Sequence, residues 1–129
     1  MTIPQQRAAI LLMIRASMFA GVTLFGAVIW ALHHQGSWNA LDVPPAMRML
    51  PPIVLAAAVL AVLLIRLVWS TRPAATDRTP LAVIGWGIAE APALAGGVYY
   101  FFTDDPRWML GGAFVLLASF LLLPVRAPD

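Results

Sequence analysis

The sequence predicts an all-α integral membrane protein, a bundle of four transmembrane helices forming one domain over residues 1–129. Three observations lead there. First, 61% of the residues are hydrophobic and only 11% are charged, against roughly 25% charged in ordinary soluble domains. Mean hydropathy is +0.85, and a soluble chain of this length has no interior large enough to hide that much apolar surface, so the bilayer must be the solvent. Second, breaking the chain at its polar and proline-rich stretches leaves apolar runs at 10–32, 53–69, 81–102 and 108–125. Each is near the ~20 residues that cross a ~30 Å hydrocarbon core, where only helices satisfy their backbone groups internally. Third, the arginines sort to one side of such a bundle.

The first run follows the start "MTIPQQRAAILLMIRASMFAGVTLFGAVIW". Its apolar stretch is longer than a signal-peptide core and no small-x-small site follows, so it is expected to stay as an uncleaved helix. Residues 16–32 alone suffice for a span. Arg15 is therefore expected to snorkel at the inner boundary, with residues 3–14 as an interfacial helix; the alternative is an ion pair with Glu90. The second run is expected to open at Pro51-Pro52, the third at Thr79-Pro80 and the fourth at Asp104-Asp105-Pro106, because a capping side chain and an early proline punctuate helix starts.

With four spans, Arg7, Arg15, Arg66, Arg72, Arg78 and Arg126 fall on one side, and Arg48 and Arg107 on the other. The positive-inside rule then places both termini in the cytoplasm of a bacterial inner membrane. Arg66 reads as a boundary arginine. Trp30, Trp38, Tyr99, Tyr100 and Trp108 are expected at the outer interface and Trp69 at the inner one. "IRASMFAGV" (14–22) echoes "AEAPALAGG" (89–97), as in two parallel helical hairpins related by a pseudo-two-fold axis.

Glu90 is the main candidate site residue. Moving it out of the membrane would leave residues 91–102, too few to span. Ten residues separate it from Pro80, roughly 15 Å at helical rise, which is near mid-membrane, where an ionisable group is costly and is expected to face a partner or a cavity. Gly85, Ala89, Ala93 and Gly97 form a small-residue ladder suited to helix packing, with Gly87, Ala91 and Ala95 as a second beside it. Pro92 cannot donate to the Ile88 carbonyl, leaving an oxygen free one turn from the carboxyl, with a kink expected. A packing role with Arg15 and a proton- or cation-handling role both fit these residues.

"GIAEAPALAGGVYYFF" resembles the carboxylate-bearing helix of ATP synthase subunit c, a glutamate among alanines followed by glycine and an apolar run. The resemblance implies that Glu90 is the ion-binding carboxylate of an oligomeric ring. Subunit c pairs that helix with a glycine-rich partner and an Arg-Gln-Pro or Arg-Asn-Pro loop, whereas residues 53–69 hold no glycine and the loop reads "STRPAATDRTP". The overall layout resembles the small four-helix membrane proteins of bacteria.

His33 and His34, with Asp42, Asp104 and Asp105, are a second candidate, an outer-face metal site of imidazole and carboxylate ligands. Neither histidine lies deep enough in a span to be a buried haem ligand. The stretch from Gly85 to Glu90 lacks the third glycine and the strand of a dinucleotide site. No zinc-protease, nucleophile-elbow or triad pattern appears, which argues against a conventional hydrolase. The chain has no cysteine, hence no disulfide or thiolate metal site. Its arginines are scattered, which argues against a nucleic-acid partner. No cofactor is expected. The expected partners are the lipid bilayer and either copies of the chain or other membrane subunits, in an assembly or ion-translocating role.

Overall fold

The computed structural model describes residues 2–36, 39–73 and 77–124, the Pro4 side chain excepted. It contains four helices: α1 (Ile3–His34), α2 (Pro45–Thr71), α3 (Thr79–Thr103) and α4 (Arg107–Leu122). Among the described residues there is no strand, and the architecture is an all-α four-helix bundle. α1, α2 and α3 are long and apolar enough to cross a membrane. α4 is equally apolar but has 16 residues, about 24 Å at helical rise. Large apolar side chains such as Leu24, Leu60, Ile84 and Leu121 point outward, as expected where the surrounding solvent is hydrocarbon.

Several details differ from the sequence reading. α1 is one continuous 32-residue helix, so residues 3–14 are not a separate interfacial element; Thr2 and Gln5 close a capping box at its start. α2 opens at Pro44-Pro45, and Pro51 and Pro52 lie inside it. They are tolerated within its first turns because the carbonyls they free, on Met47 and Arg48, lie near the helix end. Trp69 is a core residue, 4% exposed, with the Arg78 guanidinium 5.2 Å above its ring. Trp38, Arg126 and the last predicted residue of the fourth run lie outside the described residues.

The two short connections use one device. Asp77 Oδ1 accepts from the Thr79 N–H at 3.0 Å, and Asp105 Oδ1 accepts from the Arg107 N–H at 3.1 Å. The predicted Thr79 cap is thus replaced by an aspartate two residues ahead of the first helical N–H, a local turn that aspartate favours. Pro106 serves as the N-cap residue of α4 rather than its first turn. Asp77 also binds Arg7 at 2.6 Å, tying the start of α1 to the start of α3.

α3 is the hub. It packs most extensively on α4, then on α2, and also meets α1; the backbones of α1 and α2 make no close approach among the described residues. Only α3 and α4 form a packed hairpin, so the arrangement differs from two equivalent hairpins. The reason is visible at Gly96 and Gly112. A Cβ on Gly112 would run into the Ala93 backbone, and one on Gly96 into the backbone at Trp108 and Met109. Only glycine permits so close an approach. All four members of the predicted ladder, Gly85, Ala89, Ala93 and Gly97, are buried, with Gly97 against the Phe25 ring and Gly85 against Leu123.

Candidate functional site

α1 touches the bundle through a narrow seam. Leu11, Arg15, Met18, Val22, Phe25 and Ile29 follow alternating steps of four and three, the spacing of a coiled-coil seam. Leu11, Val22 and Ile29 are buried, and the other three are partly so. Arg15 therefore belongs to the packing face. Its guanidinium carbon lies 4.5 Å from the centroid of the Trp86 ring and 6.0 Å from that of Phe120. Its Nε and Nη2 are shielded and have no hydrogen-bond partner. A desolvated cation over an indole face gains about 2 kcal/mol, which offsets part of the cost of leaving those N–H groups unbonded.

Trp86 is fully buried. It meets Phe120 edge-on, with centroids 5.6 Å apart, and its Nε1 donates to the Leu123 carbonyl at 3.2 Å. Arg66 Nη1 donates to the neighbouring Leu122 carbonyl at 3.0 Å. These two donors explain how α4 stops short: its last carbonyls, orphans at any helix end, are bonded by side chains of α2 and α3. Arg66 is thus a cap for another helix.

Glu90 lies one turn beyond Trp86. At about 100° per residue, the buried positions of α3 cover one broad arc, and exposed Val83, Gly87, Ala91, Leu94 and Val98 cover the other. Glu90, partly exposed, falls where the two arcs meet. Gly97, two turns further along and nearly in line with it, faces Phe25 of α1, so Glu90 borders the groove between α1 and α3. Among the described residues its carboxyl has no hydrogen bond or salt bridge with Arg15 or any other group. Beyond it, Gly87 and Gly21 have open space where a Cβ would stand. Of the second predicted ladder, Gly87 and Ala91 look outward from the bundle, whereas Ala95 lines the crevice between α2 and α3. α3 continues helically through Pro92, whose ring is buried.

The metal candidates are not brought together. His33 Nε2 donates to the Tyr100 carbonyl at 3.1 Å, and its ring stacks on Tyr100; its Nδ1 is 3.7 Å from Asp104. His34 stacks on Trp30 instead, with centroids 4.0 Å apart. Asp42 pairs with Arg48 at 2.7 Å, and Asp105 with Arg107 at 2.9 Å. Hydrogen bonds from the Arg107 side chain, with its N–H, hold the Asp105 carboxyl below its ordinary range. No group of three His, Cys, Asp or Glu side chains with metal-site geometry occurs among the described residues. Successive residues on a helix diverge by about 100°, which sends the two histidines to different neighbours.

An apolar crevice between α2 and α3, lined by Met47, Pro51, Tyr99 and Phe102, measures about 40 Å³, small beside the roughly 300–1,000 Å³ of ligand pockets. The feature that sequence reasoning passed over is Trp86 with Phe120. The Trp86–Glu90 spacing of four, which puts both on one helix face, was the available signal. Comparison with protein families, with curated proteins and with solved structures finds no match for this chain.

Proposed function

We propose that this chain is a small polytopic membrane protein acting as a subunit or assembly factor of a membrane complex, or as a homo-oligomer, packed through the outward face of α3 that carries Glu90. One observation supports the reading most. A carboxyl near the middle of a membrane-length helix has no partner within the described chain, and it sits beside Gly87 and Ala91, where another helix backbone can approach closely. The arginine distribution supports placement in a bacterial inner membrane with both termini cytoplasmic, which reporters fused at each terminus would read.

Sedimentation in detergent, with co-purification from solubilised membranes, tests the assembly. The wild-type chain is expected to associate with itself or with other membrane subunits. Gly87→Leu is expected to weaken that association about tenfold or more while leaving the single chain's stability unchanged or raised by about 0.5–1 kcal/mol through helix propensity. A wild-type chain that is monomeric and brings down no membrane partner, or a Gly87→Leu chain that assembles normally, would sink the proposal.

A second reading, proton or cation translocation, is favoured by the same unpaired carboxyl. Proton flux into vesicles is its test. Flux that Glu90→Gln abolishes with assembly intact favours translocation; absent wild-type flux counts against it.

A further inference from the structure

Glu90 and Arg15 are each left without the partner their chemistry calls for, and they are so by elimination. Asp42, Asp77 and Asp105 each face an arginine, and Asp104 faces His33. Asp129, the remaining acid of the sequence, lies outside the described residues. On the cationic side, Arg7, Arg48 and Arg107 are ion-paired, Arg66 and Arg78 donate to carbonyls, Arg72 is exposed and Arg126 lies outside the described residues. Arg15 has two shielded nitrogens with no acceptor.

The two groups share one groove. Arg15 against Trp86 and Phe25 against Gly97 are successive meetings of α1 with α3, so the helices run parallel there, and Glu90 falls between the two levels. Helical side chains lean toward the N-terminus, which carries the Glu90 carboxyl back toward the Trp86 turn, about 6 Å away along the axis. From the other elements at this level, α2 offers only Arg66, already bonded to Leu122, and α4 has no titratable side chain after Arg107. On α1, Arg7 is held by Asp77 and the histidines belong to the far end.

We propose that Arg15 is the counter-ion of the Glu90 carboxylate. When the carboxyl is charged, the guanidinium leaves the Trp86 ring and pairs with it; when the carboxyl is neutral, the guanidinium rests over Trp86 as seen here. The inference rests on Glu90 being an intramembrane acid, as the proposed function also holds, and deepens that reading. A charged Glu90 is closed inside the chain, whereas a neutral one stays at the lipid border, free to donate to a neighbouring helix. The pairing itself concerns one chain, so it stands or falls separately from assembly.

The test is labelling of the detergent-diluted monomer with dicyclohexylcarbodiimide, an apolar reagent that attacks protonated carboxyls, at mildly alkaline pH and read by mass spectrometry. Glu90 in the wild type is expected to react slowly, and in Arg15→Gln about tenfold faster or more, the effect of removing an opposite charge at ion-pair distance. Arg15→Lys keeps the charge and is expected to react near the wild-type rate. Equal rates in wild type and Arg15→Gln, or an Arg15→Lys rate matching that of Arg15→Gln, overturn the proposal. If Arg15→Gln does not fold, the exchanged pair Arg15→Glu with Glu90→Arg decides. A double variant more stable than either single supports the pairing, and one no better than the worse single overturns it.

Discussion

Trp86 shows how much one side chain carries in this bundle. Its face meets Arg15, its edge meets Phe120 and its N–H ends α4. Trp86→Ala is expected to lower unfolding free energy by about 3–5 kcal/mol, measured by denaturant titration in detergent. Trp86→Phe keeps a ring but orphans the Leu123 carbonyl, at a cost of about 1–3 kcal/mol. At the other extreme, Asp77 is exposed and acts only through its bonds. The Thr79 N–H and hydroxyl, and Arg7, hold its carboxyl at about 2. Because that value is depressed from the ordinary ~3.9, its contribution is complete above the ordinary value and is lost as pH falls through about 2. Thermal melts of Asp77→Asn should therefore lack that part of the wild-type acid destabilisation. The position of Glu90 near the middle of α3 was legible because span length leaves no alternative, but the resting place of Arg15 was not. It depends on which ring a flexible side chain finds, and Trp86 was not read as a partner.

Among the elements, the helices themselves were legible and their ends were not. Long apolar runs in lipid have only one way to satisfy the backbone, whereas Pro51 and Pro52 look alike at the start of a helix or two turns inside it. The small residues were legible as a class but not individually. Gly85 and Gly97 were singled out by their spacing on α3, yet the close backbone approaches are at Gly96 and Gly112, each against the other helix of the α3–α4 pair. Gly112→Ala is expected to cost about 1–3 kcal/mol, since its new methyl meets backbone that cannot rotate away. Gly21→Ala, placed in open space, should be neutral or should stabilise by about 0.5–1 kcal/mol through helix propensity. Melting both variants in one detergent gives the comparison; equal losses would contradict the packing described for α3 and α4.

For the whole molecule, an α2–α3–α4 unit with α1 laid along one side by a narrow seam implies uneven stability. Phe25→Ala, which removes the ring against Gly97, is expected to speed amide exchange in α1 several-fold more than in α3 or α4; uniform acceleration would mean that α1 is as integral as the rest. The global class was legible because composition alone requires a bilayer, whereas the order of packing was not, since it is decided by two glycines whose partners are distant in sequence. The short α4 has a consequence for the lipid as well. A wall of about 24 Å stands beside helices of about 38–48 Å, so the hydrophobic rim of the protein is uneven in height. Acyl chains along α4 must shorten or bend while those along α1 can stay extended, a mismatch costing fractions of a kcal/mol per Å. Two thin edges placed together deform less bilayer than two apart, so the membrane's own elasticity favours neighbours on the α4 side and thinner membranes over thicker ones.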